Sequence, residues 1–360
     1  MSNKIVVGIT QGDSNGIGYE VIIKSLLDSR MLDMCTPIIY GSSKLFGYYK
    51  RIVREADSLT PNIIKSAADA HGKRINIINS VSEEVMAEPG RITIGAAKAA
   101  IMSLSAAVAD LKKGSIDVVV TSPFNKASVS KEGFGFIGHT EYLSNEFEVD
   151  IADSLMFMVS ERLRIGLVTC HEPISRVSGL LTKENICKKI ELMSNSLRRD
   201  FSVMRPKIAV LALNPHAGDN GLIGKEEIEI IKPAIDEMSE KGELVFGPFA
   251  SDGFFASEQM YKYDAILAMY HDQGLIPFKS LSHERGVNYT AGLPIVRCSP
   301  DHGPAYDLAG KEKSNHHSML SSIYYACDIF RSRKRYDELR RNTLKVELPS
   351  NGREEARRVE

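Results

Sequence analysis

Three short apolar runs in this chain each end on a histidine, and that recurrence restricts what the chain can fold into. Leu163-Arg-Ile-Gly-Leu-Val-Thr169 leads into Cys170-His171-Glu172-Pro173, and Lys207-Ile-Ala-Val-Leu-Ala-Leu213 into Asn214-Pro215-His216-Ala217-Gly218-Asp219. The third run, Asp264-Ala-Ile-Leu-Ala-Met-Tyr270, leads into His271-Asp272-Gln273-Gly274. Aliphatic runs of this length, bounded by Gly, Pro, Asn or Asp, read as buried strands. Helical patterns over residues 181–200 and 224–241 separate them, which is the alternation of an α/β protein. In open α/β sheets ligands gather outside the carboxyl ends of strands. Three histidines placed there can converge although they are remote in sequence.

The rest of the chain follows the same rhythm. Ile5-Val-Val-Gly-Ile-Thr10 reads as a first strand, Gln11 to Gly18 as a glycine-rich turn, and residues 19–29 as a helix. Further strands are expected at Thr36-Pro-Ile-Ile-Tyr40, Ile75-Asn-Ile-Ile78, Ile116-Asp-Val-Val-Val-Thr121 and Leu155-Met-Phe-Met-Val159. The last of these forms a hairpin with the run ending at Thr169. Residues 95–110, rich in alanine, read as a closely packed helix. The first turn can receive an anion at the helix N-terminus, but it lacks the lysine of a P-loop and the spacing of GxGxxG. A plain strand-to-helix corner has equal weight. Gly12-Asp13-Ser14-Asn15-Gly16 also matches GxSxG, which would make Ser14 a hydrolase nucleophile. Such an elbow normally follows several strands, so the match reads as accidental.

Composition narrows the partners. A chain of 360 residues has room for about two domains. A net charge of -1 gives no reason to expect nucleic acid or an anionic membrane. No apolar run is long enough for a bilayer and no signal peptide opens the chain. Five cysteines without a CxxC argue against a disulfide framework. A cytoplasmic location is the expectation. The stretch from Arg331 onward is highly charged and reads as a solvated helix end with a loose terminus.

Three neutral imidazoles suit a divalent transition metal such as zinc, and three protein ligands leave a position open for substrate. The competing reading has each histidine capping its own strand; three matched positions favour the metal. Cys170 is a further ligand candidate, and Asp272 can ligate or orient a histidine. Lys279, Asn288 and Arg297 can hold a phosphate or carboxylate. Lys126, just past a strand end, is either an anion contact or a solvated helix-start lysine. His139 follows the glycine-rich loop Gly133-Phe-Gly-Phe-Ile-Gly138 and reads as functional.

Several motifs then occur in one order. They are Thr121-Ser-Pro-Phe-Asn-Lys126, Gly138-His-Thr-Glu-Tyr142, Leu213-Asn-Pro-His-Ala-Gly-Asp219, Met269-Tyr-His-Asp-Gln-Gly274, Arg285-Gly-Val-Asn288, Gly292-Leu-Pro-Ile-Val-Arg297 and Asp301-His-Gly303. From Ile5 to about Phe330 the chain resembles the 4-hydroxythreonine-4-phosphate dehydrogenase family of the vitamin B6 pathway. The resemblance implies an α/β fold like that of isocitrate and isopropylmalate dehydrogenases, with two α/β/α domains flanking a cleft, in a homodimer. The expected division is residues 1–125 with 300–345 on the cofactor side, 126–299 for metal, substrate and dimerisation, and a charged tail at 346–360.

The resemblance also implies roles. His171, His216 and His271 would bind a divalent metal (zinc, with magnesium or cobalt as alternatives), His271 being supplied by the partner subunit. His139, Thr140, Lys279, Asn288 and Arg297 would contact substrate. The loop carrying His302, Gly303, Ala305, Asp307 and Gly310 is similar to the loop that holds the adenosine end of NAD or NADP in decarboxylating dehydrogenases, which explains the missing GxGxxG. The implied reaction oxidises 4-phosphooxy-L-threonine to a β-keto acid, which decarboxylates to 3-amino-2-oxopropyl phosphate; Asp272 or Lys279 would take the hydroxyl proton. A sister group acts on phosphorylated D-threonate or erythronate. Two departures stand out: Ser14-Asn15 where relatives carry proline, and Leu281-Ser-His-Glu284 beside the substrate residues. More distant alternatives are a Ser14 hydrolase and a nonredox metal-dependent aldolase.

Overall fold

The structure, a computed structural model, describes residues 4–341. Twelve strands form one mixed sheet: β1 (Ile5–Thr10), β2 (Cys35–Gly41), β3 (Asn62–Ile64), β4 (Asn76–Asn79), β5 (Val118–Thr121), β6 (Leu155–Val159), β7 (Arg164–Leu167), β8 (Lys207–Leu211), β9 (Leu244–Phe249), β10 (Ala265–Ala268), β11 (Val287–Ala291) and β12 (Arg297–Pro300). Their order across the sheet is β3-β4-β2-β1-β5-β12-β11-β6-β7-β10-β8-β9. The central strands are buried almost throughout, as parallel strands covered by helices on both faces must be.

Two features of this order position the site. First, β12 lies parallel to β5, with Arg297 opposite Val119 and Cys298 opposite Val120, so a late strand completes the early half. Second, the pairs β12/β11, β11/β6 and β6/β7 are all antiparallel. After three reversals β7, β10 and β8 run opposite to β1 and β5. Because β10 lies between β7 and β8, the turns carrying His171, His271 and His216 emerge side by side at one edge.

The first turn proves to be a scaffold. Asp13 N donates to Pro123 O at 3.0 Å and Ile17 N to Pro304 O at 2.9 Å. A Cβ on Gly12 would stand 2.5 Å from Pro123 O, and one on Gly16 would stand 2.6 Å from Pro304 O. Backbone from two other loops therefore fills the space an anion would take. Ser14 is fully buried and its Oγ has no hydrogen-bond partner, so the hydrolase reading is corrected: this serine meets neither a base nor a substrate.

The structure adds three more points. Lys279 lies in the helix His271–Ser282, an element that the sequence pattern does not announce. Pro277 inside that helix costs about 3 kcal/mol, which burial of Gln273, Leu275 and Phe278 offsets. The alanine-rich helix Ile94–Lys112 does have the length and composition to cross a membrane, but here its buried face packs on β1, β2 and β5. The charged stretch after Arg331 is not wholly solvated. The helix His317–Arg340 crosses β12, β11, β5 and β1, and its Arg333 is buried. The expected tail at 346–360, with residues 342–345, lies outside the described residues.

Arg333 anchors that helix. Its Nε meets Asp200 Oδ1 at 2.6 Å, Nη2 meets the Tyr289 hydroxyl at 2.7 Å, and Nη1 donates to the carbonyls of Leu293 and Ile295. Tyr289 and Ser196 donate to the other Asp200 oxygen, each at 2.6 Å. A buried ion pair satisfied this fully is costly to break from one side, because the surviving charge has no partner. Arg333→Met should lower the unfolding free energy by about 3–5 kcal/mol in urea titration; a loss under about 1 kcal/mol would show the network to be dispensable.

Candidate active site

A candidate anion pocket lies where β5, β11 and β12 meet, around the buried Arg297. Arg297 opens β12 and is 4% exposed. Its Nε donates to Thr121 Oγ1 at 3.0 Å and its Nη1 to Thr290 Oγ1 at 3.3 Å. Both partners are neutral hydroxyls, so part of the guanidinium fork is left for a ligand. Burial lowers its pKa to about 10, with nearby Cys298 and Glu141 opposing, so the group stays cationic at neutral pH. Asn288 lies on the same face of β11, two residues before Thr290, and its Oδ1 is buried without a partner.

His139 opens the helix His139–Glu146 and stacks on Phe124, ring centroids 4.0 Å apart. Its pKa falls well below the ordinary 6.5, first through burial and then through the positive charges of Arg297 and Lys126. It therefore meets a ligand as a neutral imidazole. Thr140 follows it in the first turn of the helix, partly buried.

Lys126 is the residue that sequence reasoning left evenly balanced and the structure places centrally. It opens the helix Lys126–Lys131 and lines a cavity of about 530 Å³ with the glycine loop 133–137. Its Cε lies 3.5 Å from where a Gly138 Cβ would stand. Its charge depresses both His139 and His171, so it lies near enough to each to act on it. The signal available earlier was only its place after a strand.

At that edge the rings of His171 and His271 are 5.9 Å apart. His171 keeps one face exposed, and partial burial, followed by Lys126, lowers its pKa; that favours the neutral, metal-binding form. His271 Nδ1 lies 2.7 Å from Asp272 Oδ1. A carboxylate there holds the proton on Nδ1 and leaves Nε2 free to ligate. Asp272 is thus placed to orient His271. His216 is exposed on its own turn, and among the described residues no three His, Cys, Asp or Glu side chains of one chain form a metal-sized group. One chain brings together two of the three expected ligands. Burial raises the Cys170 thiol to about 11. The donors present, neutral imidazoles with a carboxylate behind one of them, fit zinc or a similar divalent ion.

The cofactor candidates line a different space. A cavity of about 260 Å³ is bounded by Ile17, Lys279, Asp301, His302, Ala305 and Leu308. His302 Nδ1 meets Gly303 O at 3.0 Å, while its Nε2 is buried with no partner; an unpaired ring nitrogen on a residue that lines the cavity fits a nucleotide ligand. The loop is held from below. Gly310 N donates to Glu20 Oε1 at 2.5 Å, and Tyr306 donates to Asp13 Oδ2 at 2.6 Å. Burial raises the Asp13 carboxyl, and the Tyr306 bond partly restores it. Gly303 and Asp307 are exposed outside this cavity. Lys279, expected among the substrate residues, pairs with Asp301 at 3.3 Å on the cofactor side, because the helix from His271 carries it across to that loop.

A mixed α/β sheet with histidines at adjoining strand ends, a candidate anion pocket and a glycine-bearing loop over a second cavity defines an α/β enzyme of the dehydrogenase kind. The family described as "Pyridoxal phosphate biosynthetic protein PdxA" matches residues 33–326. A 4-hydroxythreonine-4-phosphate dehydrogenase of Bacteroides thetaiotaomicron is 47% identical over 343 residues, covering 95% of this chain and 93% of that protein. A relative from Oceanobacillus iheyensis named as a D-threonate 4-phosphate dehydrogenase is 34% identical, covering 91% of this chain and 99% of its own. Among solved structures, the 4-hydroxythreonine-4-phosphate dehydrogenase of Klebsiella pneumoniae superposes with a TM-score of 0.77 at 34% identity, over 91% of this chain and 98% of that one. The chain belongs to the PdxA family of pyridoxal phosphate biosynthetic proteins.

A histidine whose folded pKa lies below its unfolded value binds fewer protons when folded, so stability is full above about 6.5 and declines as pH falls below it. NMR titration should find the His139 ring protonating below 6.5, and Arg297→Met should move that transition upward. A His139 titrating at its ordinary value in the parent protein would contradict the cationic pocket.

Proposed function

We propose that the protein is a 4-hydroxythreonine-4-phosphate dehydrogenase, oxidising 4-phosphooxy-L-threonine with NAD or NADP and a divalent metal, as a cytoplasmic homodimer. The observation that carries this reading is that Lys126 acts on both His139 and His171, with Arg297 acting on the first and the His271 ring 5.9 Å from the second. Such a site receives an anionic tail at one end and a hydroxyl-bearing carbon at the other.

Arg297 and Lys126 hold the anionic groups of the substrate, and His139 and Asn288 add neutral hydrogen bonds that fix its orientation. Thr140 supports the same contact from the first turn of its helix. His171, His216 and His271 hold the metal, with Asp272 fixing the tautomer of His271. His302, Gly303, Ala305, Asp307 and Gly310 hold the adenosine end of the dinucleotide. When bound, the metal and the nicotinamide supply the Lewis acidity that acidifies the substrate hydroxyl and the hydride acceptor. Asp272 and Lys279 are the groups placed to pass on the hydroxyl proton, and the ion pair with Asp301 ties Lys279 to the cofactor side.

Support for the dimer comes from apolar side chains beside each histidine. Ile174 is 71% exposed, Leu222 82% and Ile276 64%, and Ile137 before His139 is 67% exposed. Exposed aliphatics near each of these histidines in the chain suit an interface; a second copy seated there would complete the ligand set, with His271 as the residue that the family resemblance assigns to the partner subunit. We place the division between a cofactor half, residues 1–125 with 300–345, and a metal and dimerisation half, 126–299, on the insertion of β12 beside β5. A second reading, oxidation of phosphorylated D-threonate or erythronate, is supported for D-threonate by the name of the relative from Oceanobacillus iheyensis.

Two measurements test this. Absorbance of the reduced nicotinamide should rise with 4-phosphooxy-L-threonine faster than with 4-phospho-D-threonate; the opposite preference establishes the second reading, and no reduction with either rejects both. Mixing inactive His216→Ala and His271→Ala dimers should restore activity, because one site of each mixed dimer then holds only native histidines. A mixture that stays inactive although the subunits exchange would place the whole ligand set in one chain.

A further inference from the structure

The turn that carries His216 runs through a conformation that L residues avoid. His216, Ala217, Gly218, Asp219 and Asn220 all have positive φ, at 52°, 53°, 76°, 43° and 53°. Four of these are not glycine, and consecutive left-handed residues do not persist unless their surroundings over-determine them. The strand before the turn is buried after its first residue, and the contacts that meet the turn itself supply a constraint.

What meets it is one carboxylate. Glu227 is 3% exposed, and no cation pairs with it within 4.0 Å among the described residues. Its Oε1 accepts from Leu213 N at 2.8 Å and Asn214 N at 2.7 Å, the two amides that enter the turn. Its Oε2 accepts from Asn214 Nδ2 at 3.0 Å, and Glu226 Oε2 takes the other proton of that amide at 2.7 Å. The same Oε2 fills the hollow under the middle of the turn, where a Gly218 Cβ would lie 2.6 Å away. His216 sits two residues after Asn214 and two before Gly218, so the carboxylate bonds the chain on the entry side of it and, with the Gly224 carbonyl, packs against the chain on the other. Glu227 also opens a π-helical turn, Glu227–Ile231, a feature frequent at functional sites.

We propose that Glu227 is the positioning residue of His216: it does not touch metal or substrate but locks the left-handed turn that presents this imidazole to the metal. The inference rests on His216 being a ligand, and a buried carboxylate merely satisfying a strand end is the competing account. The two differ in what happens to metal affinity. Partners that orient a ligand from behind typically carry about 10–100-fold of it, whereas a strand-end cap carries none.

The test uses Zn²⁺ alone on the full chain, titrated against a chromophoric chelator, together with amide hydrogen exchange at Leu213 and Asn214. Glu227→Ala should weaken zinc binding about 10–100-fold and remove protection at both amides, with the far-ultraviolet circular dichroism unchanged. Glu227→Gln sets a donor against either the two amides or Asn214 Nδ2, whichever way its amide turns. It should weaken zinc by less than the alanine, and it carries the test if Glu227→Ala does not fold. Zinc affinity at the parent level in the folded Gln variant overturns the proposal. His216→Ala serves as the separate control: if it binds zinc as the parent does, the ligand assignment itself is wrong; if it binds more weakly while the Glu227 variants do not, only the positioning role is wrong.

Discussion

The pairing of β12 with β5 is the contact on which the rest of the molecule depends. It brings Arg297 beside Thr121 across 176 positions of sequence and places the end of β12, with its loop, directly above the first turn. That turn then accepts the loop through Pro304, Tyr306 and Gly310. Without this pairing the candidate anion pocket would lose its guanidinium and the cofactor candidates their floor. The helix His317–Arg340 closes the arrangement by crossing both halves of the sheet and tying them through Arg333, Asp200 and Tyr289.

Burial then decides the electrostatics. Desolvation is the first cause of the shifts at His139, His171, Arg297 and Cys170. It keeps the two imidazoles neutral and the thiol protonated, while the guanidinium, whose ordinary pKa is far higher, remains charged. The outcome is a buried cation beside neutral imidazoles, with Lys126 acting on both His139 and His171 through its field. Lys279 is paired with Asp301.

The strands ending on His171, His216 and His271 were legible because buried strands leave a local signature of aliphatic residues bounded by turn formers. The hairpin of β6 and β7 and the alanine-rich helix were legible for the same reason. The helix from His271 was missed because Pro277 interrupts its pattern; its tertiary burial overrides the local penalty. Arg333 was read as solvated because charge in a terminal stretch normally is, and nothing near it in sequence announces Asp200. The GxSxG match failed for the opposite reason: a short motif says nothing about what packs against it.

The sequence by itself determined the α/β class, the histidines at the strand ends, and membership of the PdxA family. These depend on local periodicity, turn chemistry and the order of motifs, all of which one dimension preserves. Only the tertiary structure decided that Ser14 is sealed, that Lys126 acts on both His139 and His171, that Lys279 pairs with Asp301, and that Glu227 grips the turn of His216. Each of those is a meeting of segments far apart in the chain, set by which strands pair and which side chains are desolvated together, and no local pattern encodes it.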